Sequence, residues 1–504
     1  MSKQAYSAHR FRKAMLQFVG GRVGQLASRA VLVLALVRIL PIADYGAYML
    51  IVGTAELLLQ VGSFGILPLA QRYIPQMLTT LPLRKLYRFV AFLVVAQILV
   101  LTVIALVLGY FWKQIAPDFG LSPDQIARTS MGAWLFLIIP AFRFSAEVLE
   151  TMLAQGQTAR AIMVFVRAGA IVVLFLVTTQ VTLTDVLVVD MVSTGLCVVL
   201  SWITIRNTLA SLHDHKGEGR IPVREMFRFA WHMALVGPMS GTANPGAIRL
   251  VLANGLGVVE SGLYAFLQSL ERLVSRYLPS TLVRNLIRPI LISRTLGGNT
   301  NLLQSVTGLL LKSNMLAVVG GLVVIAVCGD KLVMIMSGNK FPGAGLTLLF
   351  LYVNMIATSQ RGVQEMVMQI TGHTRALWIT SVVSPLALFL VWLFAGRGLN
   401  TAVLIIAAGS MTSNSLAAAY LQYATDWFRV QWRAMAAIFL PGAIAAGGGI
   451  LLKHWLPPLV AGGVALVFFV VLLRFGRPFE EREIGTVERA VGKRASQVLR
   501  GFAV

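Results

Sequence analysis

The sequence predicts an all-α polytopic membrane protein of about fourteen transmembrane helices, and three observations point there. The chain of 504 residues is 57% hydrophobic and only 12% charged, whereas soluble domains average about 25% charged residues. Its apolar runs recur at lengths that cross a bilayer, which takes ~20 residues per helix. Its lysines and arginines concentrate in alternate loops, the pattern of the positive-inside rule. That pattern accounts for the net charge of +23, which in a soluble chain would suggest nucleic acid; no nucleic-acid partner is expected here.

Taken in order, the runs lie near 18–40, 46–74, 88–112, 130–153, 160–180, 184–206, 229–253, 258–290, 303–328, 344–370, 376–396, 400–423, 434–452 and 457–475. With the N-terminus inside, cytoplasmic segments hold Lys3, Arg10, Arg12 and Lys13, then Arg84, Lys85 and Arg88, then Lys216, Arg220, Arg224 and Arg228, and the tail from Arg477 to Arg500. The opposite loops hold few cations, among them Lys113, Arg128, Lys331 and Lys453. Both termini are therefore expected in the cytoplasm. No cleavable signal is expected, since MSKQAYSAHRFRKAM passes directly into a full-length span. No loop is long enough for a separate domain. Cys197 and Cys328 lie in apolar segments with no metal-ligand spacing, so neither metal nor cofactor is expected.

An internal repeat sets the organisation. The turn after the first run, Leu40 to Tyr48, and the turn after the seventh, Leu256 to Tyr264, share leucine, acid, glycine and tyrosine at an offset of 216. An even number of spans separates the copies, so the halves enter the membrane in the same direction, as in transporters with a site between parallel repeats. The expected domains are 1–210, 229–425 and an added pair of helices at 426–476, with a linker at 211–228 and a basic tail at 477–504. The tail is either an amphipathic helix on the leaflet or a solvated, orientation-setting segment.

Charges inside the spans are the candidate site. An arginine at mid-bilayer costs at least ~2.5–3.5 kcal/mol, so it faces protein or water. Arg22 and Arg29 share one face of the first helix; Arg38 is a weaker candidate. They either line a polar cavity or are neutralised by carboxylates elsewhere, Glu56 being a partner within reach of Arg29. Arg249 follows in the seventh run, and Gln268, Arg272 and Arg276 recur every four residues in the eighth, with Glu271 alongside. Arg143 with Glu147, and Arg361 with Glu365, have the spacing of intrahelical ion pairs. Pro238, Pro245 and Gly246 interrupt the seventh run, as a hinge or a fixed kink. The excess of arginine predicts an anionic ligand, and guanidinium suits phosphate. The substrate-binding candidates are Arg22, Arg29, Arg249, Arg272 and Arg276; Glu56 and Glu271 are candidates for a coupling ion.

The basic N-terminus, the Gly/Arg-rich first helix, the RILPIADYGAYML turn and the repeat at the seventh and eighth helices resemble the polysaccharide transporter (Wzx-type flippase) branch of the multidrug/oligosaccharidyl-lipid/polysaccharide exporter superfamily. The resemblance implies two six-helix lobes in a V around a central cationic cavity, with alternating access. It implies a polyprenyl-pyrophosphate-linked oligosaccharide as cargo, moved across a bacterial inner membrane, with membrane lipids and the pathway's polymerase and glycosyltransferases as partners, and no enzyme activity. Fourteen spans also resemble the lipid II flippase branch, where the two extra helices help form a lipid groove; that branch is the alternative, although the first helix here has no acid beside its arginines. A multidrug cation antiporter fits the basic interior less well. A membrane-embedded polymerase would carry a large periplasmic loop, and a scaffolding subunit would not need intramembrane arginines.

Overall fold

The computed structural model describes residues 30–151, 156–178, 180–210, 222–242, 244–281, 300–371, 373, 376, 380–481 and 483–485. Arg22, Arg29 and the distal tail lie outside them. Among the described residues the elements are helical: α1 (Ala30–Ile39), α2 (Ile42–Val61), α3 (Ile66–Thr80), α4 (Leu83–Ile115), α5 (Pro123–Met131), α6 (Leu135–Thr151), α7 (Gly156–Val177), α8 (Leu183–Ala210), α9 (Val223–Gly241), α10 (Pro245–Leu256), α11 (Val258–Ser275), α12 (Thr300–Ser337), α13 (Gly345–Thr371), α14 (Val383–Phe394), α15 (Leu399–Ala424), α16 (Trp432–Leu452) and α17 (Pro458–Gly476). Eight helices among the described residues are long and apolar enough to cross a membrane, and three shorter apolar helices accompany them. The chain is a multi-pass membrane protein.

Its exterior has the chemistry of a lipid-facing surface. On α4, Phe92, Val95, Leu99, Val103, Leu106 and Tyr110 are all exposed, a continuous apolar stripe at helical spacing. Phe439, Leu440, Ile444 and Leu451 on α16 do the same. In water such stripes would drive association.

Contacts divide the chain into two compact units, Met1–Ala265 and Phe266–Val504. In the first, α6 packs against α2, α4 and α8. Leu59, Tyr73, Ile74, Val90, Phe144 and Val148 form one apolar core there. In the second, α12 packs against α13, α16 and α17. Val319, Val323, Ile438, Ala445, Ala461, Ala465 and Phe469 fill that contact, where small residues let backbones approach closely.

Two long runs break. The run at 46–74 becomes α2 and α3, because the chain turns at Phe64 (φ 42°) and Gly65 (φ 78°). A Cβ on Gly65 would lie 2.1 Å from the Ala230 carbonyl oxygen, so only glycine fits. The Gly62 carbonyl at the break accepts from the fully buried Gln97 Nε2 at 3.2 Å, as a backbone group inside a membrane requires. The run at 229–253 becomes α9 and α10. Pro238 sits within α9, whereas Pro245 opens α10 at a first-turn position where its missing N–H costs nothing. Asn244 caps that start, its Oδ1 accepting from Gly246 N at 2.8 Å.

The run at 258–290 stops its first helix at Ser275, so Arg276 falls in a turn and does not continue the face of Gln268 and Arg272. Pro279 explains the stop: it has no N–H to extend the helix, and it disfavours helical backbone in the residue before it.

Candidate functional site in the first unit

Gly46 of α2 and Gly262 of α11, at matching positions of the repeated turn in the sequence, touch. A Cβ on Gly262 would lie 2.7 Å from the Gly46 Cα, and one on Gly46 would lie 2.2 Å from the Val258 carbonyl oxygen. Two turns further along α2, Gly53 faces Gly246 of α10, whose Cβ would lie 2.1 Å from the Gly53 oxygen. The α2 face is thus sealed to α10 and α11 by backbone-to-backbone contact.

Arg249 lies behind this seam and is 2% exposed. Its Cδ and Nη1 would lie 3.1 and 3.4 Å from a Cβ on Gly53, and Tyr45 is close enough to act on it electrostatically. Its own carbonyl accepts from Ser261 Oγ at 2.9 Å.

Below the seam a polar chain crosses the unit. Glu56 of α2 is buried and pairs with Arg143 Nη2 of α6. Arg143 keeps 38% of its side chain exposed. Arg143 therefore reaches across to another helix instead of along its own to Glu147, whose Oε2 accepts from Gln71 Nε2 at 3.1 Å. One turn beyond Glu56, Gln60 Oε1 accepts from Asn244 Nδ2 at 2.7 Å, tying α2 to the α9–α10 break.

Glu56 also acts electrostatically on Arg167 of α7. Arg167 grips Asp190 of α8 with two contacts, Nε to Oδ1 at 2.5 Å and Nη2 to Oδ2 at 2.8 Å. It also donates to the Tyr48 hydroxyl, which in turn donates to Asp190 Oδ2 at 3.0 Å. Asp190 is fully buried. The charges alternate along the chain as Asp190, Arg167, Glu56, Arg143, and only the last opens to its surroundings.

Arg167 and Asp190 are absent from the sequence-predicted site. The signal was present: each is a lone charge in an apolar run, and α7 and α8 are consecutive helices that pack on each other.

In the second unit Arg272 lies in the last turn of α11 and is half-buried, as is Arg276 in the following turn. Glu271 is beside Arg272 and near Tyr352 of α13; it makes no hydrogen bond or ion pair among the described residues. The predicted Arg361–Glu365 pair forms at 2.8 Å, and Arg361 also donates to Thr380 O at 3.1 Å and Oγ1 at 3.0 Å. Asn314 Nδ2 donates to Ser280 Oγ at 2.7 Å and Ser359 O at 3.3 Å. Among the described residues no three His, Cys, Asp or Glu side chains gather as a metal site, and Cys197 and Cys328 are free.

Fold and interior together define a polytopic, all-helical membrane protein with charge pairs built into its spans. Among solved structures, the chain is similar to "Lipid II flippase MurJ, inward closed conformation" with a TM-score of 0.65 and 11% identity, over 92% of this chain and 98% of that one. It is also similar to a single-substitution mutant of the Vibrio cholerae MATE transporter VcmN, with a TM-score of 0.52 and 14% identity, over 84% and 98%. At these identities the likeness is one of fold: the chain has the fold of flippases and transporters. No protein-family model matches the sequence, and no curated protein matches it.

Proposed function

We propose that the chain is a flippase of the Wzx type, moving a polyprenyl-pyrophosphate-linked oligosaccharide from the cytoplasmic to the periplasmic leaflet for exopolysaccharide, capsule or O-antigen synthesis. The observation that carries this reading is the Arg143 side chain, 38% exposed within an apolar helix and paired with the buried Glu56. Such a charge faces water or a polar ligand, not hydrocarbon. With Arg22, Arg29, Arg249, Arg272 and Arg276 it supplies the cations that a diphosphate needs, while the polyprenyl chain stays in lipid and the sugars pass through a hydrated lumen. Arg249 is sealed behind the glycine seam, so it meets the cargo only when α2 parts from α10. That parting is the movement alternating access requires, with Asn244, Pro245 and Gly246 as the hinge. No covalent bond is made or broken.

A coupling cation suits Glu271 better than Glu56. Glu56 is held by Arg143, whereas Glu271 has Arg272 and Tyr352 for electrostatic neighbours and no ion-pair or hydrogen-bond partner among the described residues.

Lipid II is the alternative cargo, kept because the fold is similar to that of a lipid II flippase over 92% of this chain. The location of lipid-linked sugar in cells carrying Arg29→Ala or Arg272→Ala tests the first reading. Accumulation on the cytoplasmic leaflet, with the protein present at normal levels, supports it. Normal export of the glycan, with lipid II stranded instead, moves the assignment to the alternative. Normal transport of both makes these arginines structural.

A further inference from the structure

Three side-chain oxygens of the second unit are buried without a donor. Gln360 and Gln364 of α13 are 2% and 4% exposed, and Thr307 of α12 is 2% exposed. Gln360 Oε1, Gln364 Oε1 and Thr307 Oγ1 have no hydrogen-bond partner among the described residues. The register of the two helices brings them together. Gln360 Nε2 donates to Leu311 O at 3.0 Å and Asn314 Nδ2 to Ser359 O at 3.3 Å, so α12 and α13 pass each other antiparallel. Leu303, Val306 and Leu310 pack with Val363 and Met366 in the same register. One turn earlier on α12 stands Thr307 and one turn later on α13 stands Gln364, level with each other and beside Gln360.

Turning the Gln360 amide over would break its bond to Leu311 O, so its oxygen is fixed away from that carbonyl. Thr371, Thr380 and Thr425 each donate to the carbonyl four residues back, the common outlet for a threonine inside a helix. Thr307 does not. A buried acceptor left unpaired costs about 1–3 kcal/mol, so three together call for an occupant. Among the described residues, the buried side-chain atoms of the second unit that lack a partner are all oxygens; the other two are Asn354 Oδ1 and Asn414 Oδ1. Water, a donor and an acceptor alike, carries no such bias, whereas a cation does.

The ligand chemistry selects the ion. Two amide carbonyls and a hydroxyl are hard, neutral donors, of the kind that replace the hydration shell of an alkali ion. Divalent ions are held by carboxylates, and the carboxylates beside these residues are engaged. Glu365 pairs with Arg361, and Glu483, which reaches Gly308, pairs with Lys312. The same pairs neutralise the cations of this stretch.

We propose that Thr307, Gln360 and Gln364 are ligands of an alkali cation, Na⁺ or K⁺, bound between α12 and α13. The site is separate from Glu271, whose neighbour Tyr352 lies about two turns from Gln360 along α13, and it does not depend on the cargo.

The test is thermal unfolding of the full chain in detergent, titrated with NaCl or KCl against N-methylglucamine chloride at constant ionic strength. An alkali ion bound to the folded state raises the midpoint as its concentration rises, and the bulky organic cation does not. Thr307→Val and Gln364→Leu, which keep the volume and remove an oxygen, should each weaken the ion's Kd by more than about tenfold, equivalent to ~1.4 kcal/mol. Thr307→Ser, which keeps the hydroxyl, should bind as the parent does. Gln364→Glu adds a charge to the ligand set and should tighten Kd; an unchanged or weaker Kd there overturns the proposal, and this variant decides if the others fail to accumulate. An equal response of the parent to all three salts also overturns it, with water as the occupant. So does a response that survives in Gln364→Leu and vanishes in Glu271→Gln, which places the ion at Glu271.

Discussion

Gly46 and Gly262, the two glycines of the repeated turn, rest against each other with no side chain between them, leaving 2.7 Å between a Cβ on the second and the Cα of the first. A contact of this kind is least tolerant at the point of closest approach, where any addition falls on both copies.

Alanine at Gly46 or Gly262 should therefore destabilise the first unit by about 1–3 kcal/mol, the usual cost of overpacking. Gly46→Ala should be the worse of the two, since its Cβ meets a carbonyl oxygen at 2.2 Å. Because both act on one contact, the double variant should cost less than the sum. Thermal unfolding in detergent measures all three, and unchanged midpoints would show that the seam is open in solution.

The Arg167–Asp190 pair makes a sharper prediction. Asp190→Ala leaves a buried guanidinium without its partner and should cost ~3–5 kcal/mol. Replacing both partners by apolar residues of similar volume, Arg167→Met with Asp190→Leu, should restore most of that stability. If the double variant is as stable as the parent yet inactive, the pair serves transport; if it is stable and active, the pair is packing alone.

How far the sequence revealed this structure depends on which partner each charge chooses. The helices follow from hydropathy, and the touching glycines sit at the positions marked by the repeat. Arg361 and Glu365 pair as their spacing predicts, because both lie on one helix and nothing else decides. Arg143 has an equally suitable acid on its own helix, Glu147, and takes Glu56 instead. That choice depends on how α2 packs against α6, and no intrahelical spacing encodes it. The early stop of α11, by contrast, was legible in Pro279.

Glu56→Gln should leave Arg143 attached by one weaker hydrogen bond and free its guanidinium. Hydrogen bonds to charged groups contribute about 1.5–3 kcal/mol, and the partial exposure of Arg143 places this loss at the lower end. The exchange Glu56→Arg with Arg143→Glu should fail to restore stability, because the inserted arginine would then face Arg167. Recovery in that double variant would show that Arg167 and Glu56 do not interact.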